Sequence, residues 1–208
     1  RRSSPKKRAP DSEARRVRRT QRGQALGARG ADELSLVSYN CLADSLASSL
    51  VRHVHPDFLG WERRKAGLLK ELAELDADVV CLQEVDQDRW EELLHSPQLS
   101  GTYDGLLQNR GSSAGGRGAH VCTALLWRRE RLKLVWDEHR SRVLLAALRF
   151  EDSYGLEQVL YLANCHLEAH PLRPSDRFNQ MRSALQRLQV CQEQVAQVRP
   201  RCGLTHAS

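Results

Sequence analysis

The order of apolar and polar positions divides the chain into a tail, a strand–helix–strand unit, a strand-rich middle and a long helix. Residues 1–30 hold Arg, Ser, Gly and Ala with almost no large apolar side chains. Such a segment cannot bury enough surface to offset its ordering entropy and reads as a disordered basic tail. Residues 34–40 alternate apolar and polar, the period of a strand. Over residues 56–75 the period becomes helical. Phe58, Trp61, Leu68, Leu69, Leu72 and Leu75 fall on one side, and Glu62, Arg63, Arg64, Lys65, Lys70, Glu71 and Glu74 mostly take the other. Asp78-Val79-Val80-Cys81-Leu82-Gln83-Glu84-Val85-Asp86 follows, an apolar run ending in polar residues. It reads as a strand covered on both faces. Strand, helix and strand in this order predict two neighbouring parallel strands joined by a right-handed crossover.

Asp86 is the expected N-cap of a helix reaching about His95, with Trp90, Leu93 and Leu94 inside. Residues 102–108 read as a strand and 109–118 as a Gly-rich loop. The loop lacks a Gly-Lys-Ser/Thr ending and a following helix, which argues against a nucleotide-phosphate cradle. Four strand-like runs come next, at 119–127, 132–136, 143–150 and 158–166, spaced as an antiparallel meander. Residues 175–198 are predicted as a long helix capped by Ser175 or Asp176, with Met181, Leu185, Leu188, Val195 and Val198 periodic. Residues 200–208 read as an irregular tail.

Charge changes this picture in one respect. The net +6 of the 208 residues is concentrated in residues 1–30, which carry 11 Lys/Arg against 2 Asp/Glu and leave 21 basic and 24 acidic residues for the rest. The basic balance is therefore no argument for a nucleic-acid groove on the folded part. Pro5-Lys6-Lys7-Arg8 fits a nuclear signal, a transit-peptide remnant, a polyanion-binding arm or a plain solvated tail. The six cysteines include no C-x-x-C pair, and Cys81, Cys122 and Cys165 sit in apolar runs. They read as small hydrophobes in a reducing intracellular compartment, cytoplasm or nucleus, with organelle import through the Arg-rich N-terminus left open. No apolar run approaches the roughly 18 residues of a membrane span.

Three of the apolar strands end in a residue of catalytic type: Asn40, Glu84 and His166. Each has an ordinary reading: a turn residue, a charge beyond a strand, a polar strand end. Together they fit phosphoester chemistry. A carboxylate holds a hard divalent cation such as Mg²⁺, an amide orients phosphate or water, and an imidazole donates to a phosphoryl oxygen. One Glu and one His are too few for a closed zinc site, and no nucleophile elbow is present for acyl transfer.

Ser38-Tyr39-Asn40-Cys41-Leu42-Ala43-Asp44, Trp61-Glu62-Arg63-Arg64-Lys65, the 78–86 run and Leu162-Ala163-Asn164-Cys165-His166-Leu167 resemble, in this order, the motifs of the endonuclease/exonuclease/phosphatase superfamily. Within it they resemble the deadenylase-like branch of carbon-catabolite-repressor deadenylases, nocturnin, the angel proteins and 2′-phosphodiesterase. The resemblance implies an α/β protein with a DNase I-like four-layer αββα sandwich and Mg²⁺-dependent cleavage of RNA 3′ ends or nucleotide phosphoesters by metal-activated water. It implies Glu84 as metal ligand, Asn40 at metal-bound water or phosphate, His166 at the scissile phosphate and Asn164 as an aid to substrate binding.

The superfamily pattern continues with Gly-Asp-x-Asn and Ser-Asp-His segments that this sequence lacks; Ser175-Asp176-Arg177 is not the latter. Residues 31–199 therefore read as the N-terminal part of such a domain, with C-terminal strands missing. A sheet edge and the helix side carrying Met181, Leu185 and Leu188 are expected to lack partners. The alternative is a catalytically inactive product that acts, if at all, by binding RNA or protein. No residue separates poly(A), 2′-linked oligoadenylate, a cyclic phosphate end or a dinucleotide cofactor as substrate. Aromatic residues make up only 5%, which argues against an extended base-stacking platform. Deleting residues 1–30 should remove the salt-sensitive part of any RNA affinity. Filter binding at about 50 and 200 mM salt checks this, and an unchanged salt slope would move the contacts onto the folded part.

Overall fold

Successive side chains on a strand point to opposite faces. In the computed structural model, which describes residues 30–47, 54–109 and 120–198, that alternation sorts the core into layers. The expectations for the N-terminal tail before Gly30, for the Gly-rich loop over 110–118 and for the C-terminal tail lie outside the described residues. The first sheet has the order β1-β2-β4-β3, from Leu36–Asn40 (β1), Val79–Asp86 (β2), Tyr103–Leu107 (β3) and Val121–Arg128 (β4). Lys133–Arg140 (β5), Val143–Glu151 (β6) and Glu157–Cys165 (β7) form the second, in sequential order. The helices are Asp44–Ala47 (α1), Trp61–Leu75 (α2), Gln87–Leu94 (α3) and Pro174–Val198 (α4). β1 and β2 are parallel, as the strand–helix–strand reading expects, and all other pairs are antiparallel.

Val80, Leu82, Ala124 and Leu126 face Trp61, Leu68, Leu69 and Leu72 of α2 and Trp90 and Leu93 of α3. From the other face of the same strands, Val79, Cys81, Leu125 and Trp127 meet Leu144, Ala146, Leu148 and Leu162 of the second sheet. Val143 and Leu145, alternating with those, pack on Ala184 and Leu188 of α4. Helices, sheet, sheet and helix make the expected αββα sandwich.

The structure corrects several details. The run 119–127 does not begin a four-stranded meander. It is β4, buried on both faces as the strand between β2 and β3. The chain changes sheets in the turn after Arg128, and a buried carboxylate is bonded to that turn. Asp78, fully buried, accepts from the Ser35 backbone N–H (2.8 Å) and hydroxyl (2.9 Å), and takes the Arg131 guanidinium at 2.8 Å. Phe58 lies before α2 in a separate 3₁₀ turn, Pro56–Phe58, and is 52% exposed beneath the Arg63 guanidinium. Arg64 and Lys65 turn inward rather than to solvent, Arg64 toward backbone carbonyls and Lys65 toward Glu92. α4 begins with Pro174, a residue suited to the first helical position, so Ser175 and Asp176 lie inside the first turn instead of capping it. Its buried positions are Ala184 and Cys191, while Met181 and Leu185 are exposed and Leu188 is half-buried. Among the described residues, β7 is an edge strand with β6 as its neighbour.

This layering sets the cost of truncations. Leu148→Ala, in the inter-sheet layer, should lower stability by about 2–5 kcal/mol, and Leu185→Ala by no more than about 0.5 kcal/mol. Urea unfolding midpoints compare the two.

Candidate active site

β1 continues its parallel pairing one residue past its end, with the Cys41 N–H donating to the Gln83 carbonyl at 2.8 Å. Asn40 then turns the chain. Its Oδ1 accepts from the Leu42 N–H at 2.8 Å, and Leu42 takes a left-handed φ of 56°. The Arg64 guanidinium holds the turn from below, donating to the carbonyls of Leu42 (2.5 Å) and Cys41 (3.3 Å) and pairing with Asp44 at 2.9 Å. Asn40 thus closes the turn with its Oδ1 and leaves its Nδ2 free to reach the Glu84 carboxylate.

β2 carries the next element. Its register against β4 shifts between Leu82, opposite Ala124, and Val85, opposite Cys122. Two residues, Gln83 and Glu84, therefore stand opposite Thr123, and Glu84 adopts φ 55°. Bulges of this kind bend a strand and re-aim a side chain. In regular alternation Glu84 would share a face with Leu82, toward the apolar layer under α2. The bulge brings its carboxylate to the rim and returns Val85 to the helix-side core. Glu84 Oε1 accepts from Asn40 Nδ2 at 2.8 Å. His166, one residue past β7, places Nε2 3.6 Å from the same oxygen, and its backbone N–H is fixed by the Arg142 carbonyl at 2.9 Å. The His166 side chain is 33% exposed and that of Glu84 15%. Three strand ends, β1, β2 and β7, thus bring Asn40, Glu84 and His166 together.

Asn164 lies deeper, only 2% exposed. Its Nδ2 donates to the carbonyls of Leu82 (2.9 Å) and Ala124 (2.8 Å), and its Oδ1 accepts from Gln83 Nε2 at 2.8 Å. These contacts are all to the protein's own groups, inside the joint between the sheets. Asp86 sits at the N-cap of α3 as expected, but its carboxylate makes no bond there. It accepts instead from the backbone N–H groups of Asp44 and Ser45 and from the Ser45 hydroxyl, at the start of α1.

Residues 37–197 match the model of the Endonuclease/Exonuclease/phosphatase family. The chain belongs to that family. Among its relatives is Protein angel homolog 1 of Rattus norvegicus, 32% identical over 164 residues that cover 72% of this chain and 25% of that protein. Carbon catabolite repressor protein 4 homolog 6 of Arabidopsis thaliana is 38% identical over 115 residues, 52% of this chain and 14% of that protein. Both lie in the deadenylase-like branch. The fold is similar to that of ANGEL2, described as a 2′,3′-cyclic phosphatase, at a TM-score of 0.61 and 24% identity, over 73% of this chain and 46% of that one. The chain therefore spans less than half the length of these relatives.

Members of this family are generally dependent on a divalent metal. Among the described residues, no group of three or more His, Cys, Asp or Glu side chains converges as a metal cluster. A hard divalent cation needs only one or two carboxylates and otherwise takes water. Glu84 meets that demand: among the described residues its second oxygen, Oε2, accepts no hydrogen bond.

Gln83 and Arg64 belong to the quoted motifs, yet their roles were not apparent from sequence. A buried strand ending in two consecutive long polar residues was the available signal for Gln83. Beside the site, burial and then the Glu84 charge push the Cys41 thiol up to about 12, against an ordinary value of 9. A neutral thiol is a poor nucleophile. Because the folded form holds this proton more tightly, its contribution is full below about pH 9 and lost as pH rises toward 12. Thermal melts between these limits should show Cys41→Ala losing less stability than wild type, and alkylation of Cys41 in the native protein should stay slow at pH 9.

Proposed function

We propose that the protein is a Mg²⁺-dependent phosphoesterase of the deadenylase-like branch, acting on an RNA 3′ end or a nucleotide phosphoester. The observation that carries this reading is the meeting of three strand ends on one oxygen: Glu84 Oε1, with Asn40 at 2.8 Å and His166 at 3.6 Å. Rigid strands hold such groups more tightly than loops do. Glu84 would hold the ion, whose charge, when bound, stabilises the anionic phosphoryl group and favours deprotonation of water.

The chain's own residues supply the rest. Asn40 orients the Glu84 carboxylate through Nδ2 while its Oδ1 stays locked in the turn. With Nε2 protonated, His166 donates to a phosphoryl oxygen and offsets charge that grows during displacement. Partial exposure of Glu84 and His166 leaves the pair accessible to a chain end. A relative's substrate class supports the choice of ligand: ANGEL2 was crystallised with adenosine-2′,3′-vanadate. A reducing compartment suits the free thiols of Cys41, Cys81, Cys122, Cys165 and Cys191.

Mg²⁺ should raise the melting temperature of wild type and leave that of Glu84→Gln unchanged. Hydrolysis of a labelled oligoadenylate and of an RNA ending in a 2′,3′-cyclic phosphate should fall about 100-fold or more in Glu84→Gln and His166→Ala. Normal turnover by Glu84→Gln would remove the assignment. RNA binding by wild type without Mg²⁺-dependent product release would leave only the binding-module reading.

A further inference from the structure

The left-handed backbone at Glu84 is disfavoured for any residue with a Cβ. A strand can relieve such a bulge by sliding one residue, which here would turn Glu84 toward the apolar layer under α2. Something must therefore hold the register at this point. Leu82 and Ala124 are the last matched pair before the shift. Both of their carbonyls accept from Asn164 Nδ2, at 2.9 and 2.8 Å, and the next residue, Gln83, donates to Asn164 Oδ1 at 2.8 Å. A one-residue slip would carry these groups out of reach and leave a primary amide unsatisfied at a site 2% exposed. The burial of Asn164 is what makes the hold discriminating.

The source of the clamp matters as well. Asn164 belongs to β7, two residues before His166. One short stretch of the second sheet thus presents the imidazole and fixes the carboxylate that the imidazole approaches at 3.6 Å.

We propose that Asn164 is a positioning residue: from the second sheet it locks the bulge of β2 and so sets the backbone of Glu84 and the aim of its carboxylate. This rests on the reading of Glu84 as the metal ligand, and it assigns Asn164 to the protein's own backbone rather than to substrate.

Two readouts on the full 208-residue chain test it. The first needs no metal: a positive φ brings the amide and α protons of one residue close together, giving a strong intraresidue NOE at Glu84. That NOE should be strong in wild type, lost in Asn164→Ala and weakened in Gln83→Ala, a half-buried position whose truncation spares the sheet core. The second is Mn²⁺ affinity by titration calorimetry, which should fall about tenfold or more in Asn164→Ala. Leu162→Ala, on the same strand and in the inter-sheet layer, controls for simple destabilisation. It should lower the melting temperature while keeping the NOE and the Mn²⁺ affinity. An unchanged NOE and affinity in Asn164→Ala would overturn the proposal, as would equal losses in Leu162→Ala. If Asn164→Ala does not fold, Gln83→Ala decides by the same measurements. Wild-type Mn²⁺ affinity in Glu84→Gln would instead sink the metal reading, and the NOE would still decide whether Asn164 holds the bulge.

Discussion

The sandwich depends on a buried carboxylate at one end of β2. Asp78 is sealed from solvent, and its charge is met by Arg131, the Ser35 hydroxyl and the Ser35 backbone N–H. Removing one partner of such a group leaves an uncompensated charge in the interior, which costs far more than the pair itself contributes. The bonds tie the entry to β1, the start of β2 and the turn by which the chain leaves the first sheet for the second. The opposite end of the same strand has a second polar joint, where the Asn164 amide reaches from β7 into the first sheet. Between these joints the layer is apolar, filled by Val79, Cys81, Leu125 and Trp127 against Leu144, Ala146 and Leu148. Apolar packing is non-directional and tolerates sliding. The two polar joints are directional, and they give the sheets a single alignment.

That division explains what was legible in sequence. Periodicity exposed the strands and helices because burial acts on every second or every third to fourth residue, and the strand-end positions of Asn40, Glu84 and His166 followed from where apolar runs stop. The transfer of β4 to the first sheet was not legible. A short charged turn looks alike whether it folds a strand back or passes it to another layer, and Asp78, the buried partner of that turn, lies some fifty residues earlier. The bulge was hidden for a similar reason. Gln83-Glu84 reads as ordinary alternation until its partner in β4 is known. Asp86 shows the limit of local rules: it occupies the N-cap of α3, but distant backbone groups at α1 take its carboxylate.

Asn40 and Arg64 show how closely the turn and the site are joined. The same Asn40 amide that closes the turn on Leu42 also bonds Glu84, and Arg64 supports that turn from α2. Residues that sequence assigns to a solvated helix face are, in the fold, the underside of the site. The order of motifs along the chain therefore reflects a physical assembly: strand end, supporting helix, bulged strand, and a later strand from the opposite sheet that closes on it.

The conformation of Glu84 carries a consequence for the protein's evolution. A backbone at φ 55° is best served by glycine, which occupies this region without steric conflict. The metal-binding role proposed for Glu84 calls for a carboxylate. On that proposal folding and function favour different residues at one position, and a lineage selected only for thermal robustness would drift toward glycine there and lose the carboxylate without losing the fold. Under that proposal, glutamate at this strained position trades stability for a cation ligand.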